Sequence, residues 1–462
     1  MSSKPAERRR PPSVELVLAR ARERLEGQRE AAALLVVARE VVDAERARLQ
    51  ADGAAPRAAE SLADDVVDRL DSFAGPVLPA LPLINATGVI VHTNLGRAPW
   101  PAAAWDAAEA IAGGYVLLEL DRETGRRGPR ARIAEDHLVA LTGAEDALVT
   151  NNNAAALALA VGLAGRGGVV VSRGELVEIG GGVRIPDIVR RAGAKLIEVG
   201  TTNRTRAVDF EAPLASERAR AVLRVHPSNF TMSGFIESPD PFDVAELAHR
   251  YGSIVIDDLG SGALLDTSAY GLTHEPLPSE RLAAGSDVVT FSGDKLVGGP
   301  QAGLIVGRAD LIARMRRDPL ARAMRPDKVT MAGVALTLGL YRAGRATTDI
   351  PVWRMIAAPL DGLRGRAEAL RARLGQAADI VEVVDVRSTV GGGSLPGETL
   401  PSVAVAISAR SANRVAATLR HAEPPVIGRI EGGRVILDLR TVDPAQDGEL
   451  AASVDRALAA VR

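Results

Sequence analysis

Apolar residues recur at helical spacing along the first part of the chain. Between residues 13 and 73 they fall three or four positions apart, as on the buried face of a helix. The clearest are Val14, Leu16, Val17, Leu25, Leu34, Leu35, Val37, Val41 and Val42. The stretch Ala51–Arg57, with its glycine and proline, interrupts the pattern and predicts two helices joined there. Prolines that indicate a linker follow, at Pro76, Pro79 and Pro82. We therefore predict a helical N-terminal domain over residues 1–80.

From Ile84 onward the pattern changes to short, apolar, β-branched stretches separated by helical or glycine-rich segments. These stretches are residues 90–92, 148–151, 169–172, 195–199, 221–225, 253–256 and 288–291. Such alternation is typical of an α/β domain with a mostly parallel sheet covered on both faces. We place this domain at residues 81–335.

After Ala332 the chain reads as helix to about Leu374, and the strand pattern then returns. The further strands are predicted at residues 380–384, 402–407 and 435–439, before a terminal helix from Gly448. This order predicts an α+β C-terminal domain over residues 336–462.

Composition excludes several kinds of site. The 462 residues carry a formal net charge of −2, which gives no general reason to bind DNA or RNA. There is no cysteine, and the six histidines lack metal-ligand spacing, so we expect no metal site. No apolar run reaches membrane-spanning length and no signal-peptide pattern follows the basic N-terminus. We expect a cytoplasmic protein without a membrane partner.

Lys295 lies at a position that favours a chemical role over a role in keeping the protein soluble. The apolar stretch 288–291 ends in Ser292, and Asp294, Lys295 and a glycine-rich loop follow. A lysine whose pKa is lowered is a nucleophile, and its main covalent use is with pyridoxal phosphate (PLP). Ser292 places a hydroxyl within reach of a phosphate. A solvated turn lysine is the alternative reading.

Two upstream segments favour the PLP reading. The apolar strand 253–256 leads into Asp257 and Asp258, and open α/β sheets place ligands at strand carboxyl ends. Asp257 is our candidate for the acid that protonates the pyridine nitrogen; Asp258 is the second choice, and a helix cap the alternative. Asn152 and Asn153 begin an alanine-rich helix, and helix N-termini bind phosphate.

With these residues assembled, the chain resembles the bacterial L-seryl-tRNA(Sec) selenium transferase family, also called selenocysteine synthase. The resemblance covers nearly the whole chain, although the N-terminal part matches in length and helical character only. The matching segments are Ile84–Pro99, Arg173–Gly182, Glu198–Arg204, His226–Phe230, Ser292–Gly303, Val426–Ile430 and Leu437–Thr441.

The resemblance implies a PLP-dependent transferase of fold type I, like aspartate aminotransferase. It implies that L-seryl-tRNA(Sec) becomes L-selenocysteinyl-tRNA(Sec). In that chemistry Lys295 holds PLP as an aldimine, β-elimination gives dehydroalanyl-tRNA, and selenium from selenophosphate adds. Lys295 would carry protons, and Asp294 matches a family acid that could assist elimination or simply pair with a base.

Selenophosphate is a small multiply charged anion, so arginine forks should bind it. Our candidates are Arg97, Arg130, Arg322 and Arg325; solvated surface arginines are the alternative.

The two-helix module carries arginines that could grip an RNA stem through its phosphates. These are Arg20, Arg22, Arg24, Arg29, Arg46 and Arg48. Acids interleave with them, so a dimerisation helix pair remains open. The resemblance favours tRNA binding and implies a ring-shaped homodecamer built of dimers, with sites completed across a dimer interface.

Two other functions remain open. One is a PLP-dependent lyase on the same scaffold, acting on a small amino acid or amino sugar acid without tRNA, because fold does not fix substrate. The other is a non-catalytic RNA-binding or scaffolding protein, which Asp257, Ser292 and Lys295 argue against.

Overall fold

A computed structural model of the chain describes residues 10–25, 31–52, 55–74, 81–127, 132–216, 218–374 and 379–461. The chain divides into two compact units, Met1–Pro82 and Leu83–Arg462. In the described ranges no helix is long and apolar enough to cross a membrane.

The described residues of the first unit form three helices, where the hydrophobic pattern predicted two. They are α1 Val14–Arg24, α2 Ala31–Asp52 and α3 Ala59–Ala74. The prediction missed that α1 is separate: Ser13 caps it at one end by accepting a hydrogen bond from Leu16 N, and it ends at Arg24. Each helix contributes apolar residues to one core, for example Val17, Val42 and Leu62.

Ion pairs occupy several arginines of this unit. Glu45 is buried and accepts hydrogen bonds from Arg48 and Arg57, which lower the pKa of its carboxyl to about 2. Arg20 pairs with Glu23, and Arg46 pairs with Asp43. Arg29 lies outside the described residues. These contacts explain why basic and acidic residues interleave along the helices.

The second unit is built on strands whose bounds largely follow the predicted stretches. They are β1 Ile84–Asn85, β2 Val89–Val91, β3 Asp146–Thr150, β4 Gly168–Ser172, β5 Glu178–Gly180, β6 Val183–Arg184, β7 Lys195–Val199, β8 Ala219–Val225, β9 Ile254–Gly260, β10 Val288–Ser292, β11 Gly303–Gly307, β12 Val381–Gly391, β13 Thr399–Ile407, β14 Val426–Ile427, β15 Arg429–Glu431 and β16 Arg434–Asp438.

Its helices connect and cover these strands. They are α4 Ala102–Ala112, α5 Ile133–Thr142, α6 Asn153–Gly162, α7 Ile185–Arg191, α8 Glu211–Ala215, α9 Pro241–Arg250, α10 Pro278–Ala283, α11 Ala309–Arg317, α12 Pro319–Ala323, α13 Lys328–Arg342, α14 Ala346–Asp349, α15 Pro351–Ala357, α16 Leu360–Arg373, α17 Ala412–Arg420 and α18 Asp447–Val461.

The large sheet has the order β3-β11-β10-β9-β8-β4-β7. All neighbours are parallel except β11, which runs antiparallel to both β10 and β3. The mostly parallel α/β sheet is therefore confirmed. The sequence analysis missed β11, because the glycines that bound Gly303–Gly307 resemble a continued loop.

The smaller sheet has the order β15-β16-β13-β12-β2 and includes the three strands predicted near the C-terminus. Its edge strand β2 corrects the sequence analysis, which assigned residues 90–92 to the large sheet. In the structure β2 pairs in parallel with β12, through Val89 with Thr389 and Val91 with Gly391. Strand length and apolar character do not indicate which sheet a strand joins.

The core of the large sheet fixes which way side chains point. Along β9, Ile256 packs on one face in the core formed with α6 and α7, whereas Val255 and Leu259 pack on the other. Because successive strand residues face opposite sides, Asp257 and Asp258 are directed to opposite faces. A division of the second unit at residue 335 stays a prediction.

Candidate active site

Lys295 lies in a buried loop just beyond the end of β10. Only 8% of the residue is exposed. Leu296 N donates to Ser261 O, which ties this loop to the end of β9. Gly393, in the turn between β12 and β13, has a φ of +82°, and a Cβ built on it would lie 2.7 Å from Lys295 Nζ. The lysine is therefore enclosed between loops of the seven-stranded and the five-stranded sheets.

Burial lowers the pKa of the Lys295 amine, because the charged form loses its hydration. The carboxylates of Asp258 and Asp294 oppose this shift, and the guanidinium of Arg97 adds to it. A lysine with a lowered pKa has more of the neutral amine that can act as a nucleophile or a base.

Two buried aromatic residues hold the loop from beneath. Tyr341 Oη lies within hydrogen-bond distance of Leu296 O and Val297 O, at 3.0 and 2.9 Å. Trp353 Nε1 donates to Leu296 O at 2.8 Å. Sequence reasoning missed both, since a tyrosine and a tryptophan on helices look like ordinary core residues.

Asp257 and Asp258 are both buried, and burial raises the pKa of each carboxyl. Their partners differ. Asp258 Oδ1 accepts hydrogen bonds from Asn153 Nδ2 at 2.8 Å and Thr290 Oγ1 at 2.9 Å. In contrast, Asp257 Oδ2 has no hydrogen-bond partner among the described residues.

The two candidate asparagines stand at the start of α6. Asn152 caps the helix, since its Oδ1 accepts from Ala155 N at 2.9 Å. Asn153 turns towards Asp258, and its own Oδ1 is buried without a partner in the part of the chain that the structure describes. Gly303 lies so close that a Cβ there would be 2.1 Å from Asn152 O. The turn at Asn152 therefore packs directly against the start of β11.

Ser292 is the last residue of β10, is buried, and pairs in register with Gly303. β10 therefore ends at the same edge of the sheet as the turn that contains Asn152. The structure brings Ser292, Lys295, Asp258 and Asn153 into one region.

Arg97 and Asp294 form an ion pair beside Lys295. Arg97 Nη1 lies 2.5 Å from Asp294 Oδ2, and Ala98 N donates to Asp294 O. Arg97 has a φ of +65°, a conformation that costs a non-glycine residue free energy. The structure brings together these two sequence candidates, which lie 197 residues apart.

Arg322 and Arg325 lie elsewhere in the chain. Both are exposed and line a cavity of about 360 Å³ together with Arg132, Glu135 and Arg316. Arg325 Nη1 pairs with Glu119 Oε1 at 3.2 Å. Between them Met324 O accepts from Asn151 N, so this segment abuts the turn before α6. Arg97 is not among the described residues that line this cavity, and Arg130 lies outside the described residues.

A second group of charges lies beside Asp257. Glu175 and Arg224 form a buried pair, with Arg224 Nε donating to Glu175 Oε1 at 2.9 Å. Sequence reasoning missed Arg224, because an arginine inside a strand gives no local signal. It also missed Gly393, although three consecutive glycines at 391–393 could have indicated a close approach. In the described ranges no group of three or more acidic or histidine side chains could hold a metal ion.

Known proteins share this architecture and sequence. The solved structure of D-glucosaminate-6-phosphate ammonia-lyase matches with a TM-score of 0.59 at 23% identity, over 83% of this chain and 97% of that one. This likeness concerns the fold, which is that of PLP-dependent enzymes of fold type I.

Curated relatives are nearer in sequence. An L-seryl-tRNA(Sec) selenium transferase of Carboxydothermus hydrogenoformans is 46% identical over 81% of each chain. One of Hyphomonas neptunium is 47% identical over 80% of this chain and 81% of the relative. Residues 83–443 match the family model described as L-seryl-tRNA selenium transferase. The chain therefore belongs to the L-seryl-tRNA selenium transferase family.

Proposed function

We propose that this chain converts L-seryl-tRNA(Sec) to L-selenocysteinyl-tRNA(Sec), with selenophosphate as the selenium donor. The names of the curated relatives support the substrate. The observation that carries the chemistry is Lys295: a buried amine with a lowered pKa, next to an acid that is itself paired with Arg97.

The cofactor of this chemistry is pyridoxal phosphate, and the residues present fit it. When bound, it supplies an electron sink that makes the Cα proton of an amino acid acidic. Lys295 would bind its aldehyde carbon. We assign the acid for its ring nitrogen to Asp258, the second sequence candidate, because Asp258 bonds Asn153 and interacts with Lys295, whereas Asp257, the first candidate, is directed to the opposite face of the sheet. The N-terminus of α6, with Asn152, Asn153 and nearby Ser292, would bind its phosphate.

Lys295 has the properties of the proton carrier. Its amine is largely desolvated, so a neutral Nζ can accept the Cα proton of the seryl group. Asp294 lies next to it in the chain, and the ion pair with Arg97 fixes the orientation of the carboxyl. A proton relayed through Asp294 to the serine β-oxygen lets that oxygen leave as water.

The selenophosphate anion needs several cations in one place. Arg97 supplies one beside Asp294, and we assign Arg130, Arg322 and Arg325 to the same anion. Since Arg322 and Arg325 line a separate cavity within one chain, a second copy of the chain would bring its arginines to the site. We propose a homo-oligomer, a decamer built of dimers, on this basis and on the family resemblance.

We assign tRNA binding to the helical unit Met1–Pro82. Among the described residues of this unit, the exposed Arg22 forms no ion pair, whereas Arg20 and Arg46 pair with exposed acids. Such solvent-exposed pairs stabilise a protein only weakly, so phosphates can compete for them. An enzyme that acts on tRNA in this way belongs in the cytoplasm.

The test is selenocysteinyl-tRNA formation by purified protein with Ser-tRNA(Sec) and selenophosphate. Lys295→Ala should abolish both the product and the visible absorbance of lysine-bound cofactor. The control is Lys195→Ala, which changes an exposed lysine on β7 and should change neither. Ser-tRNA(Ser) should give no product.

The outcome that contradicts the proposal is equally defined. If the wild-type protein binds cofactor but releases ammonia from a small amino acid or amino sugar acid, and does not bind tRNA, the lyase reading replaces this one. If it shows no lysine-bound cofactor, the catalytic reading fails.

A further inference from the structure

Ser228 lies in a turn just beyond the end of β8, and the backbone fixes its position. His226 N donates to Asp258 O at 2.9 Å, so the chain stays bonded to β9 after β8 has ended. Ser228 N then donates to His226 O at 2.8 Å, which turns the chain sharply. The turn therefore places the serine beside the end of β9, where the chain leads from Asp258 to Gly260.

Gly260, the last residue of β9, lies between the Ser228 hydroxyl and the Lys295 amine. A Cβ built on Gly260 would lie 2.9 Å from Ser228 Oγ and 3.9 Å from Lys295 Nζ. Both distances end at the same point, so the hydroxyl and the amine border one space. Gly260 has a φ of +69°, a conformation that favours glycine, and it therefore adds no side chain to that space.

The Ser228 hydroxyl lacks a partner in the protein. The residue is only 9% exposed, and within the described ranges its hydroxyl makes no hydrogen bond. A polar group that is taken out of water without a hydrogen bond costs free energy. Because its backbone is held in place and its neighbour across Gly260 is Lys295, we expect its partner to be a group bound at that lysine.

Pyridoxal phosphate offers an acceptor at this place. Its phenolic oxygen is attached to the ring carbon next to the one that bears the aldehyde, so it lies beside the Lys295 nitrogen once that nitrogen holds the aldehyde carbon. The oxygen carries negative charge, and hydrogen bonds to charged acceptors are the strong ones. A hydroxyl that borders the same space as the Lys295 amine is suitably located to donate to it.

We propose that Ser228 donates a hydrogen bond to the phenolic oxygen of pyridoxal phosphate, and that Gly260 leaves open the space in which the two meet. This inference rests on the proposed function, since it requires the cofactor to be bound at Lys295. It gives Ser228 a role different from that of Ser292, which is assigned to the phosphate at the other end of the cofactor.

Charged groups from four parts of the chain also act on the Lys295 amine. Burial lowers its pKa; Asp258 on β9, Asp294 in the lysine loop and Glu275 before α10 raise it, and Arg97 after β2 lowers it. All of these groups stay the same when a serine is replaced by alanine. A change of the serine therefore tests a hydrogen bond against a constant electrostatic background.

The direction of the effect follows from where the negative charge is. While the Lys295 nitrogen carries a proton, it neutralises the phenolic oxygen beside it. Once the proton is lost, the oxygen depends more on other donors. A hydrogen bond from Ser228 therefore stabilises the deprotonated form more than the protonated form, and it lowers the pH at which the proton leaves.

The experiment follows the visible absorbance of the holoenzyme against pH. Lysine-bound cofactor absorbs at a longer wavelength when the Lys295 nitrogen is protonated, so the midpoint of the change reports that proton without any turnover. The variants are Ser228→Ala and Ser228→Thr, of which the second keeps the hydroxyl. Ser233→Ala changes an exposed serine in the same loop and is the matched control. The dissociation constant of the cofactor is measured on each protein.

Ser228→Ala should raise the midpoint by about one pH unit and weaken cofactor binding about tenfold, as expected for the loss of a charge-assisted hydrogen bond. Ser228→Thr and Ser233→Ala should resemble the wild type in both measurements.

The results separate this inference from the proposed function. If the midpoint of Ser228→Ala is unchanged or falls, the hydroxyl does not donate to the phenolic oxygen and the inference is overturned, even where cofactor affinity also falls. A midpoint in Ser228→Thr that moves as far as in Ser228→Ala overturns it as well, because the hydroxyl is then not the cause. Failure of the proposed function is a different result: the wild type binds no cofactor, or Lys295→Ala keeps the visible absorbance.

Discussion

Two groups of charged residues in the second unit differ in how complete they are. The first, around Lys295, is buried and draws on β9, β10, α6 and the turn after β12 of a single chain. The second, with Arg322 and Arg325, is exposed and points into a separate cavity. Under the proposed function, one chain would hold the covalent chemistry by itself, while the arginines proposed for the incoming anion would have to come from another copy of the chain.

The largest effect should come from the first group. Asp294→Asn should lower kcat by about 10²- to 10⁴-fold, because the relay to the departing oxygen loses its acid while the fold is kept. Cofactor absorbance should stay. Rapid-quench measurement of selenocysteinyl-tRNA checks this, with the exposed Asp106→Asn as the control. An unchanged kcat would mean that the Arg97–Asp294 pair has a structural role only.

The second group should affect binding rather than turnover. Arg322→Ala or Arg325→Ala should raise the selenophosphate KM by about 10- to 100-fold, the loss of a charge-assisted hydrogen bond. When chains of either variant are mixed with Lys295→Ala chains, activity should return if the two groups of residues belong to different copies of the chain. Steady-state kinetics on the mixtures decides it, and the absence of any recovery would place both groups in one chain.

Gly393 tests how tightly the first group is enclosed. In Gly393→Ala the new Cβ would meet Lys295 Nζ at 2.7 Å, so we expect cofactor affinity to fall about tenfold or more. Gly433→Ala is the matched control: its φ is +75° and no atom lies within 4 Å of the added Cβ. Equal cofactor affinities in the two variants would show that the contact between residue 393 and Lys295 does not limit cofactor binding.

The smallest effect concerns pH and stability. In cofactor-free protein the lowered pKa of Lys295 means that the folded state binds fewer protons than the unfolded state, up to a pH of about 10.5. The contribution of Lys295 to the free energy of unfolding should therefore rise with pH, up to a pH of about 10.5. Urea unfolding of wild type and Lys295→Met should diverge there. Parallel curves would mean that Lys295 is hydrated.

The sequence predicted those parts that depend on local pattern. The buried strand that ends at Ser292 is a β-branched run and was placed within one residue of its observed bounds, whereas the strand predicted at residues 253–256 continues four residues further, to Gly260, and so includes Asp257. β11 and the sheet that β2 joins were not predicted, because pairing depends on distant residues. The same limit applies to Gly393, whose importance comes from a neighbour 98 residues away, at Lys295.

The placement of β2 in the smaller sheet has a mechanical consequence. β2 leads within six residues to Arg97, and its partner β12 leads within two residues to Gly393. Arg97 contacts Asp294, and Gly393 lies against Lys295. Both contacts therefore depend on the position of the same two paired strands. A small rotation of that sheet would separate both contacts at once, so opening of the site to substrate and release of its acid would be a single movement.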